Sequence, residues 1–226
     1  LHPNAVCHKV PAHVPAEQAA LALPIGNGVE WAVLQGGAGL GTTVVIQGPG
    51  QQGLACVIAA KEAGAACIIA SGLTRDAHRL ALAKELGAHH TVDVEQQDLL
   101  GVVKQITGDR MADLVIDCAS GGPYTVVSAI LLARKGGRVI LGGQKRQRIP
   151  DFDSDLMIKK FLTLKGMRGH SYQSVEMALQ IIASGRYPLA KMCTHRFGLA
   201  EVGEALRTVG GEGQADAIHC SVDPWR

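Results

Sequence analysis

The sequence TVVIQ at residues 43–47 is followed directly by GPGQQG at residues 48–53. The first five residues predict a fully buried β-strand, because apolar and β-branched side chains run through them without strict alternation. The next six have the spacing G-x-G-x-x-G, and a helical composition begins immediately after them. We expect Gly48 to permit a tight turn, Gly50 to let the backbone approach a pyrophosphate, and Gly53 to bring the helix close to the strand. The stretch therefore predicts the first strand, turn and helix of a dinucleotide-binding fold.

The alternation of strand and helix continues along the chain. Further strands are predicted at residues 67–70, 90–94, 113–117, 138–141 and 161–166, and helices at residues 54–63, 76–86, 99–107, 124–132 and 155–160. The strands are continuously apolar, which is typical of a parallel sheet covered by helices on both faces. With right-handed crossovers, the sequence predicts an α/β fold of Rossmann type, a doubly wound parallel sheet of about six strands.

Two flanking segments fall outside this alternation. Residues 1–30 are predicted to form a connecting segment with one short helix near residues 16–21. Residues 171–226 are predicted to form a return segment, with helices at 174–184 and 200–209 and a final strand at 217–222. The GGAGLG cluster at residues 36–41 precedes the first strand, so we interpret it as the loop leading into that strand. The dinucleotide-binding domain is therefore expected at residues 31–170.

The composition is that of a globular protein with a substantial core. Of the 226 residues, 47% are hydrophobic, and 28 glycines suit the tight turns of α/β proteins. The 22 basic and 20 acidic residues are too balanced to favour a nucleic-acid or membrane surface. No apolar run reaches the roughly 20 residues that span a bilayer, and the first four residues resemble neither a signal peptide nor a transit peptide. The six scattered cysteines predict reduced thiols, and we expect a cytoplasmic protein.

The end of the second predicted strand bears on the choice of cofactor. An acid at this place would accept hydrogen bonds from both adenosine ribose hydroxyls and favour NAD, but Gly72 stands there. Arg75, with Arg79, could supply positive charge to a 2′-phosphate. The pattern therefore favours NADP over NAD, while Asp76 remains an acid that could reach the ribose and Arg75 could equally lie in solvent.

The ends of the later strands are where ligands of open α/β sheets gather. Cys118 and Ala119 follow one of these strands, and Leu141 and Gly142 lie at the end of the next. The candidate cofactor-binding residues are Gly48, Gly50, Gln52, Gly53, Gly72, Thr74, Arg75, Cys118, Ala119, Leu141, Gly142 and Met167. The basic residues at 145, 146 and 148 are interpreted as a solvated loop rather than a substrate clamp.

Neighbouring cysteine and histidine residues raise the question of a metal site. The pairs are Cys7/His8, Cys193/His195 and His219/Cys220. Adjacent side chains of a strand face opposite sides, so His219 and Cys220 cannot share one ion. Cys193 and His195 could do so, but two ligands do not make a zinc site. No intrinsic metal site is therefore predicted.

Five stretches together resemble the medium-chain dehydrogenase/reductase family, which contains the zinc-type alcohol dehydrogenases. They are VPAHVPAEQAA at 10–20, TVVIQGPG at 43–50, RLALAKELGA at 79–88, ARKGGRV at 133–139 and THRFGLAEV at 194–202. They follow the family's order over nearly the whole chain. The resemblance implies that this is the C-terminal, cofactor-binding portion of such an enzyme, flanked by remnants of a GroES-like catalytic domain whose main body precedes Leu1.

The same resemblance implies hydride transfer between a nicotinamide cofactor and a small alcohol or carbonyl substrate. It also implies a homodimer in which the strands at residues 161–166 join into one continuous sheet. A further zinc-associated residue of the family aligns with Leu23 or Asn27, and neither is a good zinc ligand. The resemblance therefore does not extend to zinc, and no catalytic residue is assigned.

Two other classes of function compete with this interpretation. A nucleotide-sensing module without catalysis would need the same turn, but it would not need the two helices predicted in the return segment. A methyltransferase also has a glycine-rich first turn, but Gly72 stands where it would need an acid. We expect these 226 residues to bind the dinucleotide without turning over substrate, since no residue is an evident supplier of a polarising group or a proton path.

Overall fold

Six parallel strands form the centre of the structure, a computed structural model that describes His2 and residues 4–226. They are β1 (Thr43–Gln47), β2 (Cys67–Gly72), β3 (His90–Asp93), β4 (Ala112–Asp117), β5 (Ala133–Leu141) and β6 (Thr163–Gly166). The strands lie in the order β3-β2-β1-β4-β5-β6, and every neighbouring pair is parallel. This is the strand order of the Rossmann fold, in which the direction of winding reverses between β1 and β4. The predicted fold class is confirmed.

Nine α-helices are assigned in the described residues. They are α1 (Ala16–Ala19), α2 (Ala22–Gly28), α3 (Gln51–Glu62), α4 (Ala77–Glu85), α5 (Leu99–Thr107), α6 (Tyr124–Leu132), α7 (Ser154–Lys160), α8 (Tyr172–Ala183) and α9 (Val202–Gly210). The predicted limits of α5 and α6 are confirmed residue for residue. The carboxylate of Asp98 accepts the amides of Leu100 and Gly101 and so caps α5, which ends at left-handed Gly108. Among the residues that the structure describes, no helix is long and apolar enough to cross a bilayer.

The two faces of the sheet carry separate hydrophobic layers. Val44 and Ile46 belong to the layer that contains α2, α3 and α8, whereas Val45 belongs to the layer with α5 and α6. Successive side chains of a strand point to opposite faces, so the centre of a strand buried on both sides is apolar at consecutive positions. All five residues of β1 are buried, which explains the run of three apolar residues at its centre, residues 44–46.

The segment before β1 differs from the prediction. A connecting segment with one short helix was expected at residues 1–30, two of which lie outside the described residues, and a loop was expected at 36–41. The loop is present, but residues 22–35 are helical, because α2 continues into a π-helical segment at Val29–Gln35. Gly28 is unfavourable in a helix but is needed for its packing, because a Cβ there would lie 2.5 Å from the Ala55 carbonyl of α3. Close contact between the two helices overrides low helix propensity here.

The return segment contains one strand more than the residue pattern predicts. Strands β7 (Cys193–Gly198) and β8 (His219–Asp223) pair in parallel and form a small sheet of their own. The helices predicted after residue 170 are present as α8 and α9. The division of the chain at residues 30 and 170 stays a prediction.

Candidate functional site

A cleft of about 510 Å³ opens at the carboxyl ends of β1, β2 and β4. Its lining residues are Gln47, Gly48, Pro49, Gly50, Ser71, Gly72, Leu73, Arg75, Asp76, Arg79, Val94, Leu99, Cys118, Ala119, Ser120, Gly122, Tyr124, Thr125 and Ser128. Six of the twelve predicted cofactor-binding residues are among them: Gly48, Gly50, Gly72, Arg75, Cys118 and Ala119. The sheet topology therefore brings residues from three separate strand ends to one surface.

The glycine-rich turn has the local geometry that its spacing predicts. Gly48 has φ +90°, and a Cβ there would lie 2.8 Å from the Ala119 backbone. A Cβ on Gly53 would lie 2.0 Å from the Gly48 carbonyl oxygen, so helix and turn are in direct contact. At Gly50, a Cβ would meet no atom within 4 Å, because this residue faces the open cleft. The turn thus presents backbone and the first turn of α3 to whatever occupies the cleft, which suits an anion such as a pyrophosphate.

At the end of β2, there is little space for a side chain at position 72, where the sequence has Gly72. A Cβ on Gly72 would lie 2.7 Å from Cγ of Pro49 and 3.2 Å from Cβ of Asp76. The nearest acid, Asp76, is buried, and its carboxylate accepts the Leu73 amide at 3.2 Å. Asp76 precedes α4 as expected, but its side chain caps the turn before that helix rather than α4 itself.

The two arginines near this end of the cleft have different surroundings. Arg79 donates to Asp76 Oδ1 at 2.7 Å and to the Ala217 carbonyl at 2.7 Å. The expectation that Arg79 would supply charge to a ligand phosphate is therefore corrected, because its charge is already paired. Arg75 is exposed on the cleft wall, and no hydrogen bond or ion pair is found for it in the described part of the chain.

Thr74 faces β3 instead of the cleft. Its amide donates to Glu95 Oε2 at 2.8 Å, and its hydroxyl donates to Asp93 Oδ2 at 2.8 Å. These bonds hold the turn after β2 against the end of β3. A role for Thr74 in binding stays a prediction that this geometry does not favour.

A buried ion pair between Asp117 and Lys145 lies next to Cys118 and Ala119, which line the cleft. Lys145 Nζ lies 2.8 Å from Asp117 Oδ2, and the side chains are 7% and 0% exposed. Asp117 also accepts from the Thr125 hydroxyl at 2.9 Å, while Lys145 donates to the Ala119 carbonyl. The interpretation of Lys145 as part of a solvated loop is therefore wrong, although the neighbouring Arg146 and Arg148 are exposed.

Burial and neighbouring groups determine the protonation of Asp117 and of the adjacent Cys118. It raises the pKa of Asp117, and the bonds from Lys145 and Thr125 only partly oppose that effect. The neighbouring thiol of Cys56, 3.9 Å from Cys118 Sγ, and burial raise the pKa of Cys118 well above its usual value. Cys118 therefore lines the cleft as a neutral thiol and is not an activated nucleophile.

Three predicted residues lie at the far side of the sheet, at the ends of β5 and β6. The amide of Gly142 donates to the Asp117 carbonyl at 2.9 Å, and that of Met167 donates to the Leu141 carbonyl at 2.9 Å. A Cβ on Gly142 would lie 2.5 Å from the ring of Trp31, which packs against this strand end. These residues continue the surface of the cleft toward β6 without lining its main cavity.

Gln52 is joined to two residues that are distant in sequence. Its Oε1 accepts from Asn27 Nδ2 at 3.2 Å, and Asn27 Oδ1 lies 3.0 Å from His170 Nδ1. Asn27, one of the two positions that align with the family's zinc-associated residue, is 6% exposed. The other, Leu23, is an exposed apolar side chain.

The preceding residue, Gln51, is held from the opposite end of the chain. Its Oε1 lies 2.9 Å from Nδ1 of His219 in β8. Burial lowers the pKa of His219, so the ring is held in its neutral form. The first turn of α3 is therefore supported by α2 on one side and β8 on the other.

Sequence reasoning missed much of the apolar wall of the cleft. Val94, Leu99 and Tyr124 line the cleft together with the glycine-rich turn. Tyr124 is exposed although it begins α6. Its position directly after Gly122-Pro123, at the start of the helix that follows β4, is a signal that could have identified it.

The described residues do not assemble a metal centre: no group of three histidine, cysteine, aspartate or glutamate side chains comes together in them. Cys193 Sγ donates to the Glu17 carbonyl at 3.3 Å, and burial raises its pKa to about 11. His195 contacts the hydroxyl of Thr194 instead. Leu23 and Asn27 do not provide ligands that would fit zinc.

Comparison with known proteins identifies relatives over nearly the whole chain. A family model described as zinc-binding dehydrogenase matches residues 53–184. The "probable alcohol dehydrogenase adh" of Mycobacterium tuberculosis is 35% identical over 215 residues, which cover 94% of this chain and 58% of the relative. The D-arabitol-phosphate dehydrogenase of Enterococcus avium is 36% identical over 202 residues, covering 89% of this chain and 57% of the relative. The chain thus spans a little more than half the length of the curated relatives it matches.

Solved structures agree with these matches. A Sinorhizobium meliloti protein, named as a candidate zinc-binding dehydrogenase and bound to NADP, superposes with a TM-score of 0.82 and 27% identity. The matched part covers 96% of this chain and 62% of that chain. An alcohol dehydrogenase from Thermus sp. ATN1 has a TM-score of 0.81 and 27% identity, covering 94% of this chain and 60% of that chain.

Proposed function

Because this chain belongs to the zinc-binding dehydrogenase family, we propose that its cleft binds NADP(H) in preference to NAD(H). The chain carries the nicotinamide-dinucleotide-binding domain of an oxidoreductase. The observation that supports the proposal most is the turn at residues 48–53. It lies at the point where the strand order reverses, its Gly50 faces open space, and α3 points its amino terminus at that space.

The preference for NADP(H) rests on the end of β2. Gly72 offers no carboxylate to bind the ribose hydroxyls or to repel a 2′-phosphate, and Asp76 is paired with Arg79. Arg75 remains as an exposed cation on the cleft wall. An arginine–phosphate contact is charge-assisted and stronger than a bond to a neutral ribose. The Sinorhizobium relative, bound to NADP, is consistent with this assignment.

For the whole protein we propose hydride transfer between the nicotinamide and a small alcohol or carbonyl substrate. The matched relatives are named for different substrates, an alcohol and a sugar-alcohol phosphate among them, so the substrate is assigned only as a class. Within this chain, the contribution is binding and orientation of the cofactor. No step is assigned to zinc, because Leu23 and Asn27 do not fit it. A sensing module without catalysis is not favoured, since the matched relatives are named dehydrogenases.

We further propose that two copies of the chain associate through β6. This strand is at the edge of the sheet, paired on one side only, to β5. The exposed side chains of Ile158 and Phe161 lie just before it. An open edge with apolar neighbours is suited to pairing with the same strand of a second copy.

A binding titration tests the proposal. Purified protein is titrated with NADPH, NADH and S-adenosylmethionine, with thermal shift and nucleotide fluorescence as readouts. We expect NADPH to bind more tightly than NADH and S-adenosylmethionine not to bind. Failure of both dinucleotides to bind would overturn the proposed function, and tighter binding of NADH would overturn the preference. A parallel assay with alcohols and aldehydes tests the expectation that these 226 residues bind without turnover.

A further inference from the structure

The three linked side chains Gln52, Asn27 and His170 have a defined direction of hydrogen bonding. Asn27 is almost fully buried, so both ends of its amide must be satisfied within the protein. Its oxygen lies 3.0 Å from His170 Nδ1 and accepts from the tautomer of that ring with its proton on Nδ1, and its nitrogen donates to Gln52 Oε1 at 3.2 Å. Once the oxygen of Gln52 is used in this way, the group that Gln52 can still offer is its Nε2 donor. The buried asparagine therefore fixes Gln52 as a hydrogen-bond donor.

The position of Gln52 indicates which part of a dinucleotide it would meet. The main cavity, which is lined by Gly72, Leu99 and Tyr124 among others, lies at the ends of β1, β2 and β4, where the first nucleoside of a dinucleotide would bind. In a sheet of this order, the second nucleoside lies across the switch point, over the ends of β4, β5 and β6. Gln52 is in the first turn of α3, and its partners belong to α2 and to the segment after β6.

Other contacts place these partners on the same side. Trp31, which follows α2, packs on Gly142 at the end of β5, and its Nε1 donates to the Gly169 carbonyl at 3.1 Å. His170 is the next residue in the chain. The linked residues therefore border the half of the cleft that would hold the nicotinamide, and the carboxamide oxygen of that ring is a neutral acceptor suited to a neutral amide donor.

We propose that Gln52 donates a hydrogen bond to the nicotinamide carboxamide oxygen, and that Asn27 and His170 are positioning residues that keep its Nε2 directed there. The inference rests on the proposed dinucleotide binding. Loss of this hydrogen bond should weaken the binding of ligands that carry a nicotinamide. It should not change the binding of ligands that consist only of the adenosine and pyrophosphate part.

The substitution Asn27→Asp tests the direction of the bonds with little change in shape. A carboxylate can accept from His170 and from Gln52 Nε2 but cannot donate, so the Gln52 amide would turn and present its oxygen to the nicotinamide. We expect NADPH to bind about five- to tenfold more weakly, the effect of one neutral hydrogen bond. Binding of 2′-phospho-ADP-ribose, which lacks nicotinamide, should not change. Gln52→Leu, which removes the donor directly, should show the same selective loss and serves if Asn27→Asp does not fold.

A matched control is Gln35→Leu in the neighbouring helical segment. It removes a side-chain amide that is hydrogen-bonded to Glu30 and Lys165. It should bind both ligands like the unmodified protein, and melting temperatures should show that all variants are folded. Equal weakening of both ligands, or unchanged NADPH binding in Asn27→Asp or Gln52→Leu, would overturn the inference while leaving the proposed function intact. Failure of the unmodified protein to bind either ligand would overturn both.

Discussion

Asp117 and Lys145 are 28 residues apart in sequence and form an ion pair of 2.8 Å next to Ala119, a residue of the cleft wall. Asp117 is the last residue of β4, and Lys145 lies in the loop after β5. The lysine also donates to the Ala119 carbonyl, so it joins the loops that follow two neighbouring strands. Both loops carry residues predicted to contact the cofactor, and the pair therefore holds two parts of the same surface in register.

The substitution Lys145→Met should destabilise the protein strongly. It leaves the carboxylate of Asp117 buried without its cation, and breaking one side of a buried pair costs about 3–5 kcal/mol. Urea unfolding measures the loss. The double variant Asp117→Asn/Lys145→Met should recover part of it, since no buried charge then remains; a single variant as stable as the unmodified protein would contradict the assigned geometry.

Alanine substitutions at Gly50 and Gly53 should affect different properties: the first should weaken dinucleotide binding and the second should lower stability. A Cβ at Gly50 enters open space and Gly50 has φ −70°, so Gly50→Ala should fold normally but weaken dinucleotide binding by about tenfold, or 1.4 kcal/mol. A Cβ at Gly53 would overlap the Gly48 carbonyl, so Gly53→Ala should lower the melting temperature. Melting and titration of both variants separate the two effects. Normal binding by Gly50→Ala would argue against a ligand at this turn.

Substitutions of Arg75 and Arg79 should differ in their effect on the affinities for NADPH and NADH. Arg75→Ala should weaken NADPH relative to NADH by roughly 1–2 kcal/mol, because it removes a contact to the 2′-phosphate alone. Arg79→Ala removes the partner of Asp76 and should lower stability and affect both dinucleotides alike. Calorimetric titration with each cofactor gives the comparison. If NADPH affinity fell selectively in the Arg79 variant and not in the Arg75 variant, the assignment of the 2′-phosphate to Arg75 would be wrong.

The buried ring of His219 should make stability depend on pH. Burial lowers its folded-state pKa below the value of about 6.5 expected in the unfolded chain. The unfolded state therefore binds the proton more readily, and the stabilisation present above about pH 6.5 is lost as pH falls toward the folded-state pKa. His219→Asn keeps a donor for Gln51 but cannot titrate. Urea midpoints from pH 8 to 5 should fall less for this variant, and parallel profiles would contradict the prediction.

Association through β6 is tested in solution. Light scattering at micromolar concentration should give the mass of a dimer, since the open edge and its apolar neighbours have a second copy as their partner. Leu164→Pro removes a backbone donor from the strand and should shift the protein toward monomer. A monomeric unmodified chain, or a folded Leu164→Pro variant that is still a dimer, would exclude this interface.

Most of the central sheet could be predicted because its information is local. The centre of a parallel strand covered on both faces is apolar, and residues 44–46 of β1 and 114–116 of β4 show this in three consecutive residues each. The turn at residues 48–53 is also recognisable locally, because its glycine spacing directly follows a buried strand and directly precedes a helix. Helix α5 was predicted to its exact limits because Asp98 and Gly108 mark both ends.

The parts that were missed depend on partners distant in sequence. Lys145 was interpreted as solvated because nothing near it in sequence reveals Asp117. Asn27 meets His170 across 143 residues, and their contact has no signature in either segment. Residues 22–28 have the glycines and proline of a loop, but they are helical because they pack closely against α3 and α8.

The contact between Pro49 and Gly72 constrains the order in which the site can change over generations. An acid at position 72 would place its Cβ 2.7 Å from Cγ of the Pro49 ring, so that the ring or the backbone would have to shift. A lineage acquiring a ribose-binding acid there is therefore expected to lose the ring at position 49 first, since the reverse order passes through a strained intermediate. The two positions are expected to be epistatic, and the proposed cofactor preference would be protected from single substitutions at 72 by a residue that belongs to the glycine-rich turn.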